Sequence, residues 1–373
     1  MAGTPFKVRW TARRNAVFAN PKFQHWAAKL PLIRRIARNR AGTMFDLVVG
    51  FSYSQILRAV VESDLLDELK EGPLGAADVA RRIDLPQDAA LCLLRAARAL
   101  DLAEEVVEDG WMLGQQGAVL QADRGTQAMI HHHRLLYRDL EEPLELLRKD
   151  RAEATELSRF WTYAGALHGA AEAGRETSEY SRLMATSQQF VADQVLASFR
   201  FPPSGRLLDV GGGHGAFLSH VGRAHPGLEL GLFDLPEVVE NAREPLSREF
   251  REGRLRCHPG NFFSDAIPAG YDLVSLVRIL HDHDDGPALD LLRNIRRALG
   301  PGERLMIAEP MARVPGAEAM GEAFFGLYLW TMGSGRVRSA AEIRAMLLEA
   351  GFSKTRTVPT PQPVIASIVV ATA

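Results

Sequence analysis

The sequence predicts an α/β protein with a mostly parallel sheet covered by helices on both faces and closed by an antiparallel edge hairpin. A mostly helical, winged-helix-like domain precedes it. Three observations predict this. Short apolar runs alternate with helix-period stretches from residue 205 onward. A glycine turn, Gly211-Gly212-Gly213-His214-Gly215, follows the first such run and opens a helix. A helix-turn-helix with a trailing hairpin lies between residues 76 and 113. The expected division is an arm over 1–40, a helical domain over 41–204 and the α/β domain over 205–373.

The arm differs from the rest in charge. Residues 1–40 carry ten Lys or Arg and no Asp or Glu, within a chain of net charge −2. The other 333 residues therefore hold 34 basic and 46 acidic side chains. Trp10, Phe18, Phe23, Trp26, Leu30, Leu32 and Ile33 are interleaved with the basic residues. Such an arm suits peripheral contact with an anionic membrane surface, or packing on the acidic body of its own or a partner subunit. Nucleic acid is not an expected partner, because phosphate binding has no use for the apolar residues. No uninterrupted apolar run approaches the roughly 20 residues of a membrane span, and no secretory signal opens the chain. Cys92 and Cys257 stand far apart. A reduced, cytoplasmic protein without disulfides is expected, with membrane association through the arm as the open question.

Residues 44–200 read as mostly helical. Phe45–Val61 is an apolar-rich helix, and Leu65, Leu66 and Leu69 continue it past Ser63-Asp64. Ala76–Arg82, the turn Asp84-Leu85-Pro86 and Pro86–Leu100 form the helix-turn-helix, with Pro86 suited to a helix start. Ala103–Val107 and Trp111–Leu113 form the wing. The second helix carries Asp88 against only Arg95 and Arg98, too little charge to lie along phosphates. Its apolar face suits a protein surface, so dimerisation is the expected role. His131-His132-His133 invites a metal reading. Consecutive residues on a helix point about 100° apart, so three imidazoles cannot converge on one ion. No metal is expected, and one or two of these histidines should face inward near a substrate cavity.

Phe201-Pro202-Pro203-Ser204-Gly205 marks a boundary. Beyond it, Arg206–Val210, Leu228–Asp234, Arg254–Cys257, Tyr271–Val277 and Glu303–Glu309 read as buried strands. Helices near Ala216–Ala224, Glu237–Arg243 and Pro287–Leu299 separate them. Helix Ala340–Ala350 ends at Gly351, and Thr355–Val358 with Ile365–Thr372 make the hairpin. Glycines 211, 213 and 215 allow a tight turn and close approach of a ligand. Asp234 stands 23 residues after Gly211, where a carboxylate accepts hydrogen bonds from a ribose diol. Those features alone also fit NAD. Asp209 argues against it, because a carboxylate two residues before the first glycine repels a pyrophosphate. It favours S-adenosylmethionine, which has no phosphate and carries a sulfonium and an ammonium.

Six segments together carry a family resemblance. They are Leu208-Asp209-Val210-Gly211-Gly212-Gly213-His214-Gly215, Phe233-Asp234-Leu235-Pro236 and Gly260-Asn261-Phe262-Phe263, then Leu280-His281-Asp282-His283-Asp284-Asp285, Ala308-Glu309-Pro310 and Glu349-Ala350-Gly351-Phe352. The C-terminal half resembles the Rossmann-like class I S-adenosylmethionine-dependent methyltransferases. The whole chain resembles the two-domain small-molecule O-methyltransferases typified by the caffeate and acetylserotonin enzymes. That resemblance implies a homodimer built through the winged-helix-like domain, which also helps enclose a hydrophobic acceptor. A narrower likeness, to the carotenoid O-methyltransferases of photosynthetic bacteria, rests on residues 20–26, 44–48, 136–140, 159–161 and 180–184. Those enzymes methylate the tertiary hydroxyl of hydroxyneurosporene or demethylspheroidene. An acceptor that resides in membrane agrees with the basic arm.

The resemblance assigns roles residue by residue. His281 takes the general base, to accept the hydroxyl proton as a methyl carbon is displaced in line from sulfur. The alternative is that it only packs at the start of the following helix. Glu309 orients His281. Asp209, Gly211, Gly212 and Gly213 meet the methionine portion of the cofactor, Asp234 the ribose, and Asn261 and Phe262 the adenine, with Leu235 also counted among the cofactor-binding residues. Two positions depart from the family pattern: Asn261 replaces a usual Asp, and Val337 stands where a second orienting glutamate is common. A tertiary alcohol is also far less acidic than a phenol, so proton removal must accompany methyl transfer. Other acceptors remain open: a phenol or polyketide hydroxyl, or a carbon of a chlorin pigment. A non-catalytic, S-adenosylmethionine-sensing winged-helix regulator is the remaining alternative.

Overall fold

The computed structural model describes residues 5–30, 34–166, 188–363 and 365–373. Residues 32, 33 and 180–184, used above, lie outside the described residues. The chain forms two compact units, residues 1–122 and 123–373.

The first unit is helical with one small hairpin. Helices Phe6–Ala19 and Pro21–Lys29 are separated by Asn20, whose side chain accepts from the N–H groups of Lys22 and Phe23, with Pro21 at the first helical position. Helix Arg34–Glu62 follows, then Ala76–Arg82 and Gln87–Ala99, and the wing strands β1 (Ala103–Val107) and β2 (Gly110–Leu113) pair antiparallel. Asp109, at φ +53°, makes the wing turn, and its carboxylate accepts the Ala76 N–H at 3.1 Å. The expected winged-helix pattern is therefore present. On its second helix, Ala90, Leu94 and Ala97 of the apolar face are buried within the single chain.

The uncovered apolar surface lies elsewhere. Helix Arg34–Glu62 buries only Val60 and Val61, and Met44, Phe45, Leu47, Val48 and Phe51 are 61–74% exposed. Counted as uninterrupted runs, nothing here reaches the length of a membrane span. Averaged over 18 residues, however, this 29-residue helix has a mean hydropathy of 1.3, enough by length and composition to cross a bilayer.

The second unit holds a seven-stranded sheet. Its strands are β3 (Gly205–Val210), β4 (Leu228–Asp234), β5 (Leu255–Pro259), β6 (Leu273–Val277), β7 (Arg304–Glu309), β8 (Lys354–Val358) and β9 (Ser367–Thr372). The spatial order is β5-β4-β3-β6-β7-β9-β8, parallel from β5 through β7 and antiparallel at β9 and β8. Period-2 alternation fills both faces. Leu207, Leu230, Leu232 and Met306 join Phe217, Val221 and Leu246 on one side. Leu208, Val274, Leu276 and Ile307 join Leu291, Ile295 and Leu347 on the other. The last strand inserts between β7 and β8, leaving β8 at the edge.

Three departures from the expected elements have physical causes. The unit boundary lies at 122/123, not 204/205, because Leu136 and Leu157 pack with Tyr328 of the α/β unit. Helix Pro236–Glu249 runs through Pro245 because Ala242 and Leu246 bury on the sheet, which outweighs the lost backbone hydrogen bond. Residues 319–332, not anticipated as structured, form a π-helical stretch, Ala319–Phe325, that continues as helix Gly326–Met332.

Candidate active site

The singled-out residues of the α/β unit gather at the carboxyl ends of its parallel strands, around the point where connections diverge from β3 toward β4 and toward β6. Asp209 sits in β3 between Leu232 and Ser275, wholly buried. Its Oδ1 accepts from the Ser275 hydroxyl at 2.6 Å, and its Oδ2 has no hydrogen-bond partner among the described residues. Burial pushes its carboxyl up to about 7, with Asp234 adding in the same direction against the Ser275 bond. Gly212 lies directly over that oxygen: a Cβ there would stand 2.5 Å from Oδ2. Gly213, at φ +58°, meets nothing within 4 Å of the Cβ position, so the turn keeps an open outer face. Its N–H donates to Asp234 Oδ2 at 2.7 Å, while Leu235 N–H donates to Asp234 Oδ1 at 2.7 Å. Asp234 thus binds the glycine turn to the end of β4, and Leu235 beside it is 47% exposed.

Past β5 the chain turns at Asn261. Its Oδ1 accepts the Phe263 N–H at 2.9 Å, and its own N–H donates to Asp265 Oδ2 at 2.8 Å, so this side chain shapes the loop. The loop is held from behind by Asn294, whose Nδ2 donates to the carbonyls of Phe262 and Asp265, both at 2.8 Å. Phe262 is half-buried, and both Phe262 and Phe263 stand edge-on to His283.

His281 occupies a short 3₁₀ turn, Leu280–Asp282, just past β6. Arg278 precedes it at φ +57°, a left-handed bend that turns the chain out of the sheet. The imidazole is buried between two carboxylates. Nε2 lies 3.1 Å from Asp282 Oδ1, and Nδ1 lies 3.7 Å from Glu309 Oε2. Burial alone would lower the His281 pKa, but the Asp282 and Glu309 charges outweigh it and the net direction is upward. Glu309 is fully buried, which raises its own pKa despite His281. It holds His281 chiefly through the main chain, accepting the His281 N–H at 3.1 Å. Glu309 Oε1 and His281 Nδ1 have no hydrogen-bond partner among the described residues. The ring's close partner is therefore Asp282, a residue without a motif signal of its own although it adjoins His281.

An aromatic wall stands beside this pair. Phe325 lies 6.4 Å from the His281 ring, next to Phe324 and Tyr328 on the same helical stretch. Of the three consecutive histidines, His131 is exposed, His132 is buried and His133 is half-buried. Burial drives the His132 pKa down to about 3, so its ring is neutral. The Trp161 indole N–H donates to the Tyr328 hydroxyl at 3.1 Å, leaving that hydroxyl to donate to His132 Nε2 at 2.8 Å. The run Phe324-Phe325-Gly326-Leu327-Tyr328 was the available sequence signal for this wall.

A family model for the O-methyltransferase domain matches residues 137–353. The chain belongs to the O-methyltransferase family. It is 40% identical over 350 residues to a demethylspheroidene O-methyltransferase of Cereibacter sphaeroides, covering 94% of this chain and 92% of that one. An acetylserotonin O-methyltransferase of Mus musculus is 30% identical, with 84% of each chain covered. Among solved structures, the apo S-adenosylmethionine-dependent methyltransferase SibL aligns with a TM-score of 0.76 at 25% identity, covering 88% of this chain and 98% of that chain. CalO1, a methyltransferase of calicheamicin biosynthesis in its SAH-bound form, aligns at 0.69 and 25%, covering 90% and 98%. The cofactor of this O-methyltransferase is S-adenosylmethionine. The site fits it. A partnerless buried carboxylate oxygen beneath an open glycine turn suits a ligand that brings a sulfonium and an ammonium.

Proposed function

We propose that this enzyme methylates the hydroxyl of a long apolar acceptor of the hydroxylated-carotenoid class, with His281 receiving the hydroxyl proton. The observation that carries this reading is the 40% identity, nearly end to end, to a demethylspheroidene O-methyltransferase. Phe325, beside His281, with Phe324 and Tyr328 packed edge-on against it and tilted to each other, supports it as an aromatic wall. In this reading S-adenosylmethionine supplies the methyl group, bound by Asp209 and the Gly211–Gly213 backbone at its charged end. Asp234 and Leu235 hold the ribose, and Asn261 and Phe262 the adenine. Asp282 and Glu309 hold the imidazole in place. With the cofactor bound, the methyl carbon would leave sulfur for the acceptor oxygen, and the unprotonated ring nitrogen of His281 would take the hydroxyl proton. The test is methyl-labelled transfer by the purified enzyme to demethylspheroidene in mixed micelles, with a phenol such as N-acetylserotonin in parallel. Label in the carotenoid alone is expected. Label in the phenol alone would overturn the acceptor class.

Asp234→Ala is expected to weaken S-adenosylmethionine binding by about 10- to 100-fold, since both carboxylate oxygens and the hold on Gly213 are lost together. Calorimetry on the purified variant reads this directly, and an unchanged affinity would contradict the ribose role.

The same reading includes a homodimer and a peripheral membrane contact. A second copy is the proposed cover for the exposed face of helix Arg34–Glu62, because Met44, Phe45, Leu47, Val48 and Phe51 expose large apolar side chains close together along it. The arm is the proposed lipid contact. Phe6, Trp10, Phe18 and Trp26 are 42–84% exposed among basic residues. Light scattering after gel filtration should give twice the chain mass. Vesicles containing anionic phospholipid should sediment the full chain and not a form lacking residues 1–40. Equal pelleting of both would remove the arm from membrane binding.

A further inference from the structure

We propose that Arg338 is a positioning residue for the His281–Asp282 pair, acting through the main chain of the turn that carries them. The inference rests on the reading of His281 as the proton acceptor.

Arg338 is completely buried, yet its guanidinium is aimed at backbone. Nη1 donates to the Leu280 carbonyl at 2.9 Å and Nη2 to the His283 carbonyl at 2.8 Å. Those two carbonyls bracket His281 and Asp282, one residue to either side. Nε and Nη2 also donate to Asp285 Oδ1, at 2.9 and 2.7 Å, where the helix Asp285–Ala298 begins. The rest of the segment presses on the same turn. The Ser334 hydroxyl donates to the Asp282 carbonyl at 3.1 Å, and Gly335 N–H donates to Asp284 Oδ1 at 3.1 Å. Gly335, at φ +82°, packs so closely that a Cβ would stand 2.2 Å from the His281 carbonyl oxygen. Residues 334–338 therefore hydrogen-bond the carbonyls of Leu280, Asp282 and His283, and Gly335 packs against the carbonyl of His281.

Arg338 also reaches the other partner of the imidazole. Its own carbonyl accepts the Ala312 N–H at 3.0 Å, three residues beyond Glu309. One buried residue thus ties the turn carrying His281 and Asp282 to the chain leaving β7, which carries Glu309. A guanidinium fork can reach three acceptors at fixed angles, and an ammonium cannot. Where Val337 leaves this chain without the second orienting glutamate, the residue next to it fixes the histidine through its backbone instead. Geometry of this kind matters to an in-line displacement, in which a displacement of about 1 Å costs on the order of 100-fold in rate.

Arg338→Lys, Ser334→Ala and His281→Ala, with the double variant Arg338→Lys/His281→Ala, form the test. Arg338→Lys is expected to lower kcat by about 10- to 100-fold, with S-adenosylmethionine affinity and acceptor KM within about threefold of the parent. The midpoint of its kcat–pH profile should move down toward the ordinary histidine value, as the imidazole loses its fixed approach to Asp282. In the His281→Ala background the same substitution should have no further effect on the residual rate. Ser334 is exposed, so Ser334→Ala leaves folding intact and should lower kcat by about two- to fivefold. An Arg338→Lys variant with parental kcat and pH profile would overturn the proposal. So would one whose kcat, cofactor affinity and melting temperature fall together, additively with His281→Ala. If Arg338→Lys does not fold, an unchanged kcat in Ser334→Ala overturns it. A His281→Ala enzyme with parental turnover would instead sink the base reading, and the positioning role with it.

Discussion

His281→Ala is expected to lower kcat by about 100- to 10,000-fold and to leave S-adenosylmethionine affinity within about twofold. Among the described residues, the hydrogen bonds, ion pairs and ring contact of His281 involve Asp282, Glu309 and Phe325 and none assigned to the cofactor, so its loss should fall on the chemical step. A tertiary alcohol gives up its proton only as the methyl carbon arrives, which makes an aligned acceptor essential. The pH dependence follows from the charges around the ring. Asp282 and Glu309 raise the His281 pKa, so the neutral, proton-accepting form dominates only above the ordinary histidine value of about 6.5. Activity should therefore rise with pH through a midpoint on the alkaline side of that value. Asp282→Asn keeps the shape and removes the nearer charge, so its midpoint should move down. A stopped assay across pH 5.5 to 9.5 reads both. Parental turnover by His281→Ala on a carotenoid acceptor would show that another group takes the proton.

The parts of the candidate site whose placement was legible in the sequence are those written in local pattern. Asp209, the glycine turn and Asp234 follow from a buried strand, a positive-φ turn and the end of the next strand, each specified by residues a few positions apart. The strands of the α/β unit were legible for the same reason, since alternation along β3 and β6 sends neighbouring side chains to opposite cores. What was not legible depends on distant chain. Leu157 and Trp161 read as part of a separate helical domain until packing sets them against Tyr328, 167 residues beyond Trp161. The apolar face of helix Gln87–Ala99 shows on the sequence, while the neighbours that bury Ala90, Leu94 and Ala97 do not. Arg338 read as one basic residue among many, and only the fold brings the Leu280 and His283 carbonyls to it. Asp282 was overlooked for a smaller reason. Adjacent residues on any helix diverge, so the 3.1 Å approach of this carboxylate to the neighbouring ring depends on side-chain conformations that only the folded turn shows.

Asp209→Asn should weaken S-adenosylmethionine binding by about 10- to 100-fold, and protons will report why. In the ligand-free protein burial holds the Asp209 carboxyl at about 7, so near neutrality a large share of molecules carry it protonated. A sulfonium and an ammonium arriving over Gly212 favour the carboxylate, so binding must expel that proton. Calorimetry at pH 6.5 in two buffers of different ionisation enthalpy should show proton release in the parent and a smaller release in Asp209→Asn. Affinity should climb between pH 6 and 8 in the parent more steeply than in the variant. A pyrophosphate ligand would act in the opposite sense, raising the carboxyl pKa further and taking protons up, so the sign of the exchange distinguishes the two ligand chemistries. The same shift predicts the stability of the ligand-free protein. A carboxyl raised above its unfolded value of 3.8 stabilises the fold fully below that pH, and the contribution is lost as pH rises through about 7. The parent should therefore lose melting temperature between pH 5 and 8 relative to Asp209→Asn, and saturating S-adenosylmethionine should restore it. Parallel melting curves with no proton exchange would mean that the buried oxygen under Gly212 plays no electrostatic part in holding the cofactor.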